Sequence, residues 1–462
     1  MAKSAKEART FAFQIDVPSG WKITRLSDQV ELRNGSAYNA EDWKISGHPI
    51  IRIQNLKDST APFNYFQGDP YEEVPVEQGD LLFSWSGSKG TSFGPHIWRG
   101  PLGVLNQHIF KVLPRGRTKL DMDFLYYSLK FLTALIEQQA YGLAALVHVR
   151  KGDLEATPIP VPPLPEQKAI AHVLRTVQQA KEATAKVIAA ARQLKASLMR
   201  HLFTYGPVPF AEADQVELKA TEIGRIPDHW AIKRLSEAAD IRRGKFAHRP
   251  RNEPRFYGGQ HPFIQTGDVA RSGGRIRTFT QTLNDAGLAI SRMFPRGTIV
   301  LTIAANIGDV GILEFDSAFP DSLVGITPQD GIEGEFLCAY LTSQKSEMDR
   351  LAPRGTQKNI NITFLAPWPT PVPPLDEQRG IAGILQAANR KEDSELERQN
   401  SLEVLFHALL HGLMTGKVRV TEAEFIEKKR KARKRSPLAE FFGKWPGDET
   451  DEQVRRALEE LD

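Results

Sequence analysis

Cysteine is nearly absent from this chain: among 462 residues there is one, Cys338. A single cysteine excludes an intramolecular disulfide and favours a reducing compartment. We expect Cys338 to behave as a small buried hydrophobe. No apolar run approaches the ~20 residues that span a bilayer, and Phe11–Val17 is too short and too polar for a signal-peptide core. The sequence therefore predicts a cytoplasmic protein without a membrane partner.

Sequence signatures of several enzyme classes are missing as well. The chain has neither an Asn-Pro-Pro-aromatic motif, with which amino-methyltransferases hold a flipped base, nor a Gly-x-x-x-x-Gly-Lys-Ser/Thr phosphate loop. Its histidines and cysteine include no pair at structural-zinc spacing. His407 and His411 lie four residues apart but lack the glutamate of the metalloprotease pattern, and Asp309 and Asp321 lack a third nuclease partner. We expect no catalytic residue, no metal ligand and no cofactor bound by this chain.

Charge is distributed unevenly, although the net charge is only +4. Residues 241–300 contain eleven arginines and lysines against three acids, whereas residues 31–90 contain five against nine. A dense basic segment indicates either a polyanionic partner or a solvated face.

The chain contains an internal repeat with a period near 211 residues. A period of this length excludes a solenoid and indicates a duplicated large unit. The matching pairs, in order, are Pro18/Pro227, Trp21/Trp230, Leu26/Leu235, Gly35/Gly244, His48-Pro49/His261-Pro262, Gly79/Gly297, Val161–Gln167/Val372–Gln378, Ile170/Ile381, Leu202/Leu413 and Thr204/Thr415.

The first 140 or so residues of each copy are predicted to form a mixed α/β (α+β) globular domain. Short β-branched and aromatic runs bounded by Gly, Pro and Asn are typical of strands. The predicted strands are Pro49–Ile53, Leu81–Trp85, Ile109–Leu113 and Thr298–Ile303, and the predicted helices are Asp123–Phe131 and Glu335–Ser343.

A proline-rich segment and a long helix complete each copy. The prolines at 158–165 and 367–374 are expected to prevent sheet pairing and to give a stiff, extended segment. Pro165 suits a first helical turn and Asp376 an N-cap, while Gly206 and Gly416 suit helix ends. The two helices are predicted to pack as an antiparallel coiled coil; the alternative is that each lies on its own domain.

The two helices differ in how regular their apolar seams are. The first helix has a three-four periodicity typical of a coiled coil, and the second is less regular. The predicted seam positions are Ile170, Val173, Val177, Ala180, Thr184, Val187, Ala191, Leu194 and Leu198 in the first, and Ile381, Ile384, Leu385, Ala388, Leu396, Leu402, Leu405, Phe406 and Leu409 in the second.

The order of these motifs resembles that of the specificity (S) subunit of Type I restriction-modification enzymes. The resemblance rests on Pro162–Gln167 and Pro373–Gln378, and on the unit-opening Pro-x-x-Trp-x-x-x-x-Leu that starts at Pro18 and at Pro227. It covers roughly residues 17–416. In the second copy Gly355–Asn359 also matches the family, whereas the first copy departs from it with Gly142–Leu146.

The resemblance implies five segments: a target-recognition domain over 1–160, a long spacer helix over 161–206, a second recognition domain over 207–371, a second spacer helix over 372–416 and a charged extension over 417–462. It implies a phage-defence role in which each recognition domain reads one half of a bipartite double-stranded DNA target. The implied partners are two methyltransferase (M) subunits, which use S-adenosylmethionine, and two motor-nuclease (R) subunits, which use ATP and Mg. This chain would itself be non-catalytic.

Candidate DNA-binding residues follow from side-chain chemistry. Arginine matches guanine edges, Asn and Gln match adenine, and glycine-rich loops allow close approach to a backbone. In the first copy they are Ser84, Trp85, Ser86, Ser88, Lys89, Asn106, Gln107 and His108; in the second they are Arg242, Arg243, Lys245, Arg249, Arg251, Arg271, Arg275, Arg277, Asn306, Gln357 and Lys358. The basic run Glu427–Arg435 suits DNA phosphates, a partner subunit or a solvated helix.

Two rival functions remain open at this point. One is a self-contained DNA methyltransferase or nuclease with two recognition domains, which would act on DNA alone. The other is an adaptor that binds only proteins, which predicts no salt-sensitive DNA binding.

Overall fold

The protein consists of two compact units. The structure, a computed structural model, describes residues 17–58, 61–116, 120–139, 146–304, 306–353 and 358–420. One unit comprises residues 1–182 and 400–462, and the other comprises residues 183–399. The loop Gly142–Ala145 and the basic run Glu427–Arg435 lie outside the described residues.

The first globular domain contains twelve strands and four α-helices within its described residues. They are β1 (Lys22–Arg25), α1 (Leu26–Gln29), β2 (Val30–Asn34), β3 (His48–Ile51), α2 (Ile53–Lys57), β4 (Asn64–Phe66), β5 (Pro75–Val76), β6 (Leu81–Ser84), β7 (Ser86–Ser88), β8 (Gly94–Ile97), β9 (Gly103–Leu105), β10 (Ile109–Pro114), α3 (Met122–Gln139), β11 (Leu146–His148), α4 (Lys151–Glu155) and β12 (Pro158–Val161). The first long helix, α5 (Leu164–Tyr205), follows.

The second globular domain has a similar element order. Its elements are β13 (Leu218–Thr221), β14 (Gly224–Pro227), β15 (Ala231–Arg234), α6 (Leu235–Ala238), β16 (Ala239–Arg243), β17 (Tyr257–Phe263), α7 (Thr266–Ala270), β18 (Arg275–Ile276), β19 (Gln281–Leu283), α8 (Asp285–Ala289), β20 (Met293–Phe294), β21 (Ile299–Thr302), β22 (Val310–Leu313), β23 (Ser317–Ala318), β24 (Leu323–Pro328), α9 (Gly334–Ser343), α10 (Lys345–Leu351), α11 (Ile362–Leu365) and β25 (Pro369–Val372). The second long helix, α12 (Leu375–Met414), follows.

Sheet topology confirms the duplication predicted from sequence. The strand order β2-β10-β6-β8 in the first domain matches β16-β24-β21-β22 in the second, where β18 adds a fifth strand. The order β4-β3-β9-β5 likewise matches β19-β17-β23-β20, and in both sheets the two central strands run parallel. The predicted helices are also confirmed, although α3 extends beyond the prediction, and the predicted strand Pro49–Ile53 ends at Ile51.

Each domain buries a core between its main sheet and its helix, α3 or α9. In the first domain Phe83, Phe110 and Leu129 belong to this core; in the second Leu301 and Tyr340 do. Cys338 lies in the second core and is buried, as predicted. Burial raises the pKa of its thiol to about 12, so the thiol stays protonated at neutral pH.

The two long helices run antiparallel, as predicted. In the first unit the start of α5, at Leu174, shares a core with the end of α12, at Phe406 and Leu413. In the second unit the end of α5, at Leu202, packs with the start of α12, at Ile381. Within each unit the beginning of one helix therefore lies beside the end of the other.

The predicted seam of α5 is right at seven of its nine positions and wrong at Val187 and Leu194. Positions 170, 173, 177, 180, 184, 191 and 198 are buried or half-buried. Val187 and Leu194 are exposed, and in each case the next residue faces inward instead: Ile188 is buried and Lys195 is half-buried.

Charged residues explain this one-residue error. The amine of Lys181 pairs with Glu403 in the first unit, and that of Lys195 lies 3.6 Å from Glu392 in the second. Paired lysines can occupy a helix interface because their stems pack while their charge is compensated. A purely apolar pattern misses such positions. The predicted second-helix positions Ile384 and Leu405 are exposed because their neighbours Leu385 and Phe406 take the buried positions, and consecutive helical residues point about 100° apart. Glu395 is buried as well.

The proline-rich segments do form strands, contrary to the prediction. β12 pairs with β1, and β25 pairs with β15, both antiparallel. Pro158 and Pro160 stand at alternate positions of β12. In an antiparallel pair, every second backbone N–H points away from the partner strand. Prolines two residues apart can both occupy these positions, so their lack of an N–H costs no hydrogen bond between the strands. The expected N-cap at Asp376 is also wrong, because α12 begins at Leu375.

The repeated Trp and Glu of the motif series contact each other. The indole of Trp21 donates a 3.0 Å hydrogen bond to Glu166, and that of Trp230 donates a 2.8 Å bond to Glu377. Glu166 also accepts a 2.6 Å bond from Arg419. The unit-opening strand is thereby fastened to the first turn of the long helix.

The repeated glutamine fastens a second element to the same turn. Gln167 donates to the carbonyl of Pro162 and accepts from the amide of Asp121, just before α3, both at 2.8 Å. Gln378 bonds Pro373 and the amide of Glu333, before α9, at the same distances. The repeated Glu-Gln motif thus has a structural role at the junction of domain and helix.

None of the described helices is long and apolar enough to cross a membrane.

Candidate nucleic-acid interface

The two domains build the same surface edge from different side chains. In the first, the amide of Gly35 donates to Ile109, that of Trp85 to His108, and that of Val149 to Trp85, at 3.0–3.2 Å. In the second, the corresponding bonds run from Gly244 to Leu323, from Ile303 to Ser322 and from Ile360 to Ile303, at 2.9–3.1 Å. We call this surface the paired-loop edge. Because the bonds match, residues of the two domains can be paired as structural equivalents. The pairs, first domain before second, are Asn34 and Arg243, Trp85 and Ile303, Gln107 and Asp321, His108 and Ser322, and His148 and Asn359.

Glycine is required where the first strand of the edge ends. A Cβ on Gly35 would lie 2.2 Å from the carbonyl oxygen of Asn106, and one on Gly244 would lie 2.3 Å from that of Pro320. Real Cβ atoms do not approach backbone this closely, so the glycine lets the strand pass against the turn. The repeated glycine seen in the sequence therefore shapes the edge.

Replacing Gly244 with alanine is expected to lower the free energy of unfolding by about 1–3 kcal/mol, because the new methyl group forces the Pro320 turn outward. Thermal denaturation of the purified chain measures this. Gly383→Ala is the matched control: Gly383 lies in α12 with no atom within 4 Å of the added Cβ, so alanine there is expected to be neutral or slightly stabilising. Equal losses for both variants would contradict the assigned role of Gly244.

Trp85 is the centre of the edge in the first domain. Its indole N–H donates a 3.1 Å hydrogen bond to Asn34. Its ring centroid lies 4.8 Å from those of His108 and His148, each in an edge-to-face arrangement. His108 has φ of 77°, a left-handed conformation that is costly for a non-glycine residue and is common at functional sites. The cluster presents amide and imidazole groups to solvent.

The other first-domain candidates are split between surface and interior. Ser84 is fully buried and bonds the carbonyl of Ser86, so it supports the loop from within. Asn106 is also buried. Ser86 and Ser88 are half-buried, and Lys89 and Gln107 are exposed. The structure thus places Gln107 with the Trp85 cluster on the paired-loop edge and Ser84 beneath it.

In the second domain three arginines converge on Asp321. The Asp321 carboxylate accepts a 2.9 Å bond from Arg249 and a further bond from Arg251, and its carbonyl accepts a 2.6 Å bond from Arg243. Arg292 joins them by donating a 3.0 Å bond to the carbonyl of Arg243. We call Arg243, Arg249, Arg251 and Asp321 the Asp321 cluster.

The remaining predicted arginines lie elsewhere and are paired with acids. Arg271 binds Asp268 at 3.0 Å, and Arg277 binds Asp393 of α12 at 3.2 Å. Arg275 binds both Glu314 and Glu335, and its hydrogen bond holds the pKa of Glu314 below its usual value. Arg271 and Arg275 line a crevice of about 410 Å³ together with Glu392 and Asp393. These arginines face the long helices and are neutralised locally.

The other second-domain candidates are placed as follows. Arg242 is exposed and pairs with Asp240 at 2.6 Å; Lys245 is exposed beside the Asp321 cluster, its amide bonded to Phe319. Asn306 is exposed in the turn after β21, and Lys358 pairs with Asp349 at 2.9 Å. Gln357 lies outside the described residues.

Sequence reasoning missed several residues of the edge: Asn34, His148, Asn359 and Arg292. Asn34 directly precedes the repeated Gly35, and that adjacency was the available signal. The alignment of His148 with Asn359 follows from backbone pairing, in which His148 pairs with Ser86 and Asn359 with Ala304. Within the described residues, no group of three or more His, Cys, Asp or Glu side chains is placed to hold a metal ion.

The chain therefore contains a duplicated α+β domain, two antiparallel long helices and a polar edge that both domains repeat. Residues 18–192 and 227–404 match the family described as the Type I restriction modification DNA specificity domain. The chain therefore belongs to this family. Its role is the recognition of DNA sequence through two target-recognition domains.

Individual relatives agree. The chain is 26% identical over 436 residues to the Type I restriction enzyme MjaVIII specificity subunit of Methanocaldococcus jannaschii, covering 88% of this chain and 95% of the relative. It is 23% identical over 416 residues to the EcoBI specificity subunit of Escherichia coli, covering 83% and 82%. The fold is similar to the crystal structure of a Type I S subunit from M. genitalium, with a TM-score of 0.55 at 18% identity, covering 87% and 96%.

Proposed function

We propose that this chain reads a bipartite, asymmetric DNA target, with each recognition domain reading one half. The observation that carries the proposal is the paired-loop edge, which is built by the same three backbone hydrogen bonds in both domains but bears different side chains. A constant scaffold with variable polar groups is suited to reading two different sequences. Trp85, His148 and Gln107 would face one half, and the Asp321 cluster would face the other.

We further propose that the chain itself is non-catalytic and assembles with two adenine-methyltransferase subunits and two motor-nuclease subunits. In this assembly S-adenosylmethionine, ATP and Mg would be bound by the partners. The relatives are specificity subunits of Type I restriction enzymes, which supports assembly into a larger enzyme. A chain of similar fold, with a TM-score of 0.55 and 19% identity, was solved in a study of complex assembly and conformational transition of the type I R-M system.

The second long helix offers a docking position for a partner. Val404 and Leu405 of α12 have 71% and 45% of their surface exposed. Replacing both with serine is expected to reduce recovery of the methyltransferase subunit in co-purification several-fold, since a protein interface centres on buried apolar side chains. The thermal midpoint should stay within about 2 °C, because these residues are already exposed. Retained co-purification would place the docking surface elsewhere.

A methyl-transfer assay separates this proposal from its two rivals. The purified chain alone, given S-adenosylmethionine and host DNA, is expected to transfer no methyl groups, and adding the methyltransferase subunit should start transfer. Transfer by the chain alone would favour a self-contained enzyme. Absence of salt-sensitive DNA binding by the complex would favour a protein-only adaptor.

A further inference from the structure

Asp321 is an unusual residue for a DNA-facing surface. Its carboxylate lies at the turn before β24, 31% exposed, and binds the guanidinium groups of Arg249 and Arg251. A carboxylate near duplex DNA is repelled by the phosphates. A carboxylate at this position therefore weakens DNA binding unless it also plays a role that is favourable for the surface.

Folding stability does not supply that role. The side chains of Arg249 and Arg251 are 51% and 44% exposed, and ion pairs of such exposure add little to stability because solvent screens them and their side chains must be ordered. What the pairing does achieve is to hold two long, otherwise mobile side chains in fixed positions. A guanidinium carries five N–H donors in a rigid fork, so an arginine bound to a carboxylate oxygen keeps donors for a base edge or a phosphate.

We infer that Asp321 is a positioning residue that orients Arg249 and Arg251, and thereby sets how strictly the second domain discriminates its half of the target; this rests on the proposed function. Preorganised arginines read guanine bidentately, whereas mobile ones act as diffuse positive charge. The cluster is anchored further because Arg249 donates a 2.6 Å bond to the carbonyl of Phe246 and the Asp321 carbonyl binds Arg243.

Among the aligned positions, the carboxylate that binds these arginines is present in the second domain only. The residue aligned with Asp321 in the first domain is Gln107, and the one aligned with Arg243 is Asn34; both are neutral. Loss of the carboxylate should therefore affect one half of the target and spare the other.

The test uses the complete complex with its methyltransferase subunit and four duplexes: the target, the target scrambled in one half, the target scrambled in the other half, and a fully scrambled duplex. Asp321→Asn removes the charge at nearly constant size. We expect discrimination against one scrambled half to fall about tenfold, discrimination against the other half to stay unchanged, and affinity for a fully scrambled duplex to rise because a repulsive charge is lost. Asp321→Glu should restore part of the discrimination.

Two controls isolate positioning from charge and from folding. Glu347→Gln breaks another arginine–carboxylate pair in the same domain, 2.8 Å from Arg350, and should change no discrimination. The double variant Arg249→Lys, Arg251→Lys keeps the positive charges but removes the guanidinium groups, whose paired N–H donors can bind a guanine edge bidentately. It should lose discrimination at the same half while retaining affinity for scrambled DNA, and it tests the inference even where Asp321→Asn lowers the thermal midpoint.

Unchanged discrimination in both the Asp321→Asn and the double lysine variant would overturn the inference, as would equal losses at both halves. A wild-type complex that distinguishes neither scrambled half from the target would instead refute the proposed function, and the positioning role with it.

Discussion

Replacing Arg243, Arg249 and Arg251 together with glutamine is expected to weaken specific DNA binding by the complex about a hundredfold. Each well-placed arginine contact contributes on the order of 1–3 kcal/mol, and about 1.4 kcal/mol is a factor of ten. If each contact also neutralises one phosphate, the slope of log K against log salt should become shallower by about 2.7. Titrations of the target duplex at several salt concentrations measure both quantities.

Arg271 and Arg277 provide the matched control for that experiment. They come from the same basic segment, but each has a carboxylate of its own, Asp268 or Asp393, whereas Arg249 and Arg251 share the single carboxylate of Asp321. Replacing both with glutamine should leave the salt slope nearly unchanged. A control variant that loses as much affinity as the triple variant would contradict the division of the basic segment into a DNA-facing cluster and a helix-facing group.

Replacing Trp230 with alanine is expected to lower the free energy of unfolding by about 3–5 kcal/mol. Trp230 is fully buried among Leu202, Phe336 and Ile381. Its removal leaves a large cavity and deprives Glu377 of the indole donor. Thermal denaturation, followed by tryptophan fluorescence and circular dichroism, measures the loss.

Two further tryptophan variants separate packing from hydrogen bonding. Trp230→Phe fills much of the cavity but removes the N–H, so it should cost about 1–3 kcal/mol. Trp43→Ala removes a tryptophan that is 38% exposed and should cost clearly less than Trp230→Ala. Similar losses at positions 43 and 230 would argue against the structural role assigned to Trp230 and its hydrogen bond with Glu377.

The duplication was predictable because the repeated motifs fasten parts of the fold together. Trp230, Glu377 and Gln378 recur because they bond one another or the backbone between domain and helix. Each bond needs its own side-chain chemistry, so the residue types persist at constant spacing. The antiparallel packing of the helices also followed from apolar periodicity.

The errors arose where tertiary contacts override local pattern. Lys181 and Lys195 lie at a helix interface because Glu403 and Glu392 meet them from the other helix, and sequence periodicity carries no information about such partners. Pro158 and Pro160 enter a strand because their spacing matches the free side of an antiparallel pair.

The candidate interface was predictable only in part. Trp85 and Arg249 were named as candidates from side-chain chemistry, but that chemistry could not separate Arg249 from Arg277, which lies in the same basic segment and binds the long helix α12. His148 and Asn359 join the edge through strand pairing between residues distant in sequence. A single sequence does not encode such pairings in any local pattern.

The most direct test of the central claim is to map N6-methyladenine across the host genome by long-read sequencing, with and without this gene. We predict that deletion abolishes methylation of one bipartite motif, with two specified halves separated by an unspecified gap, and that restoring the gene restores it. An unchanged set of methylated motifs after deletion, in cells that express the chain together with its methyltransferase subunit, would contradict the account.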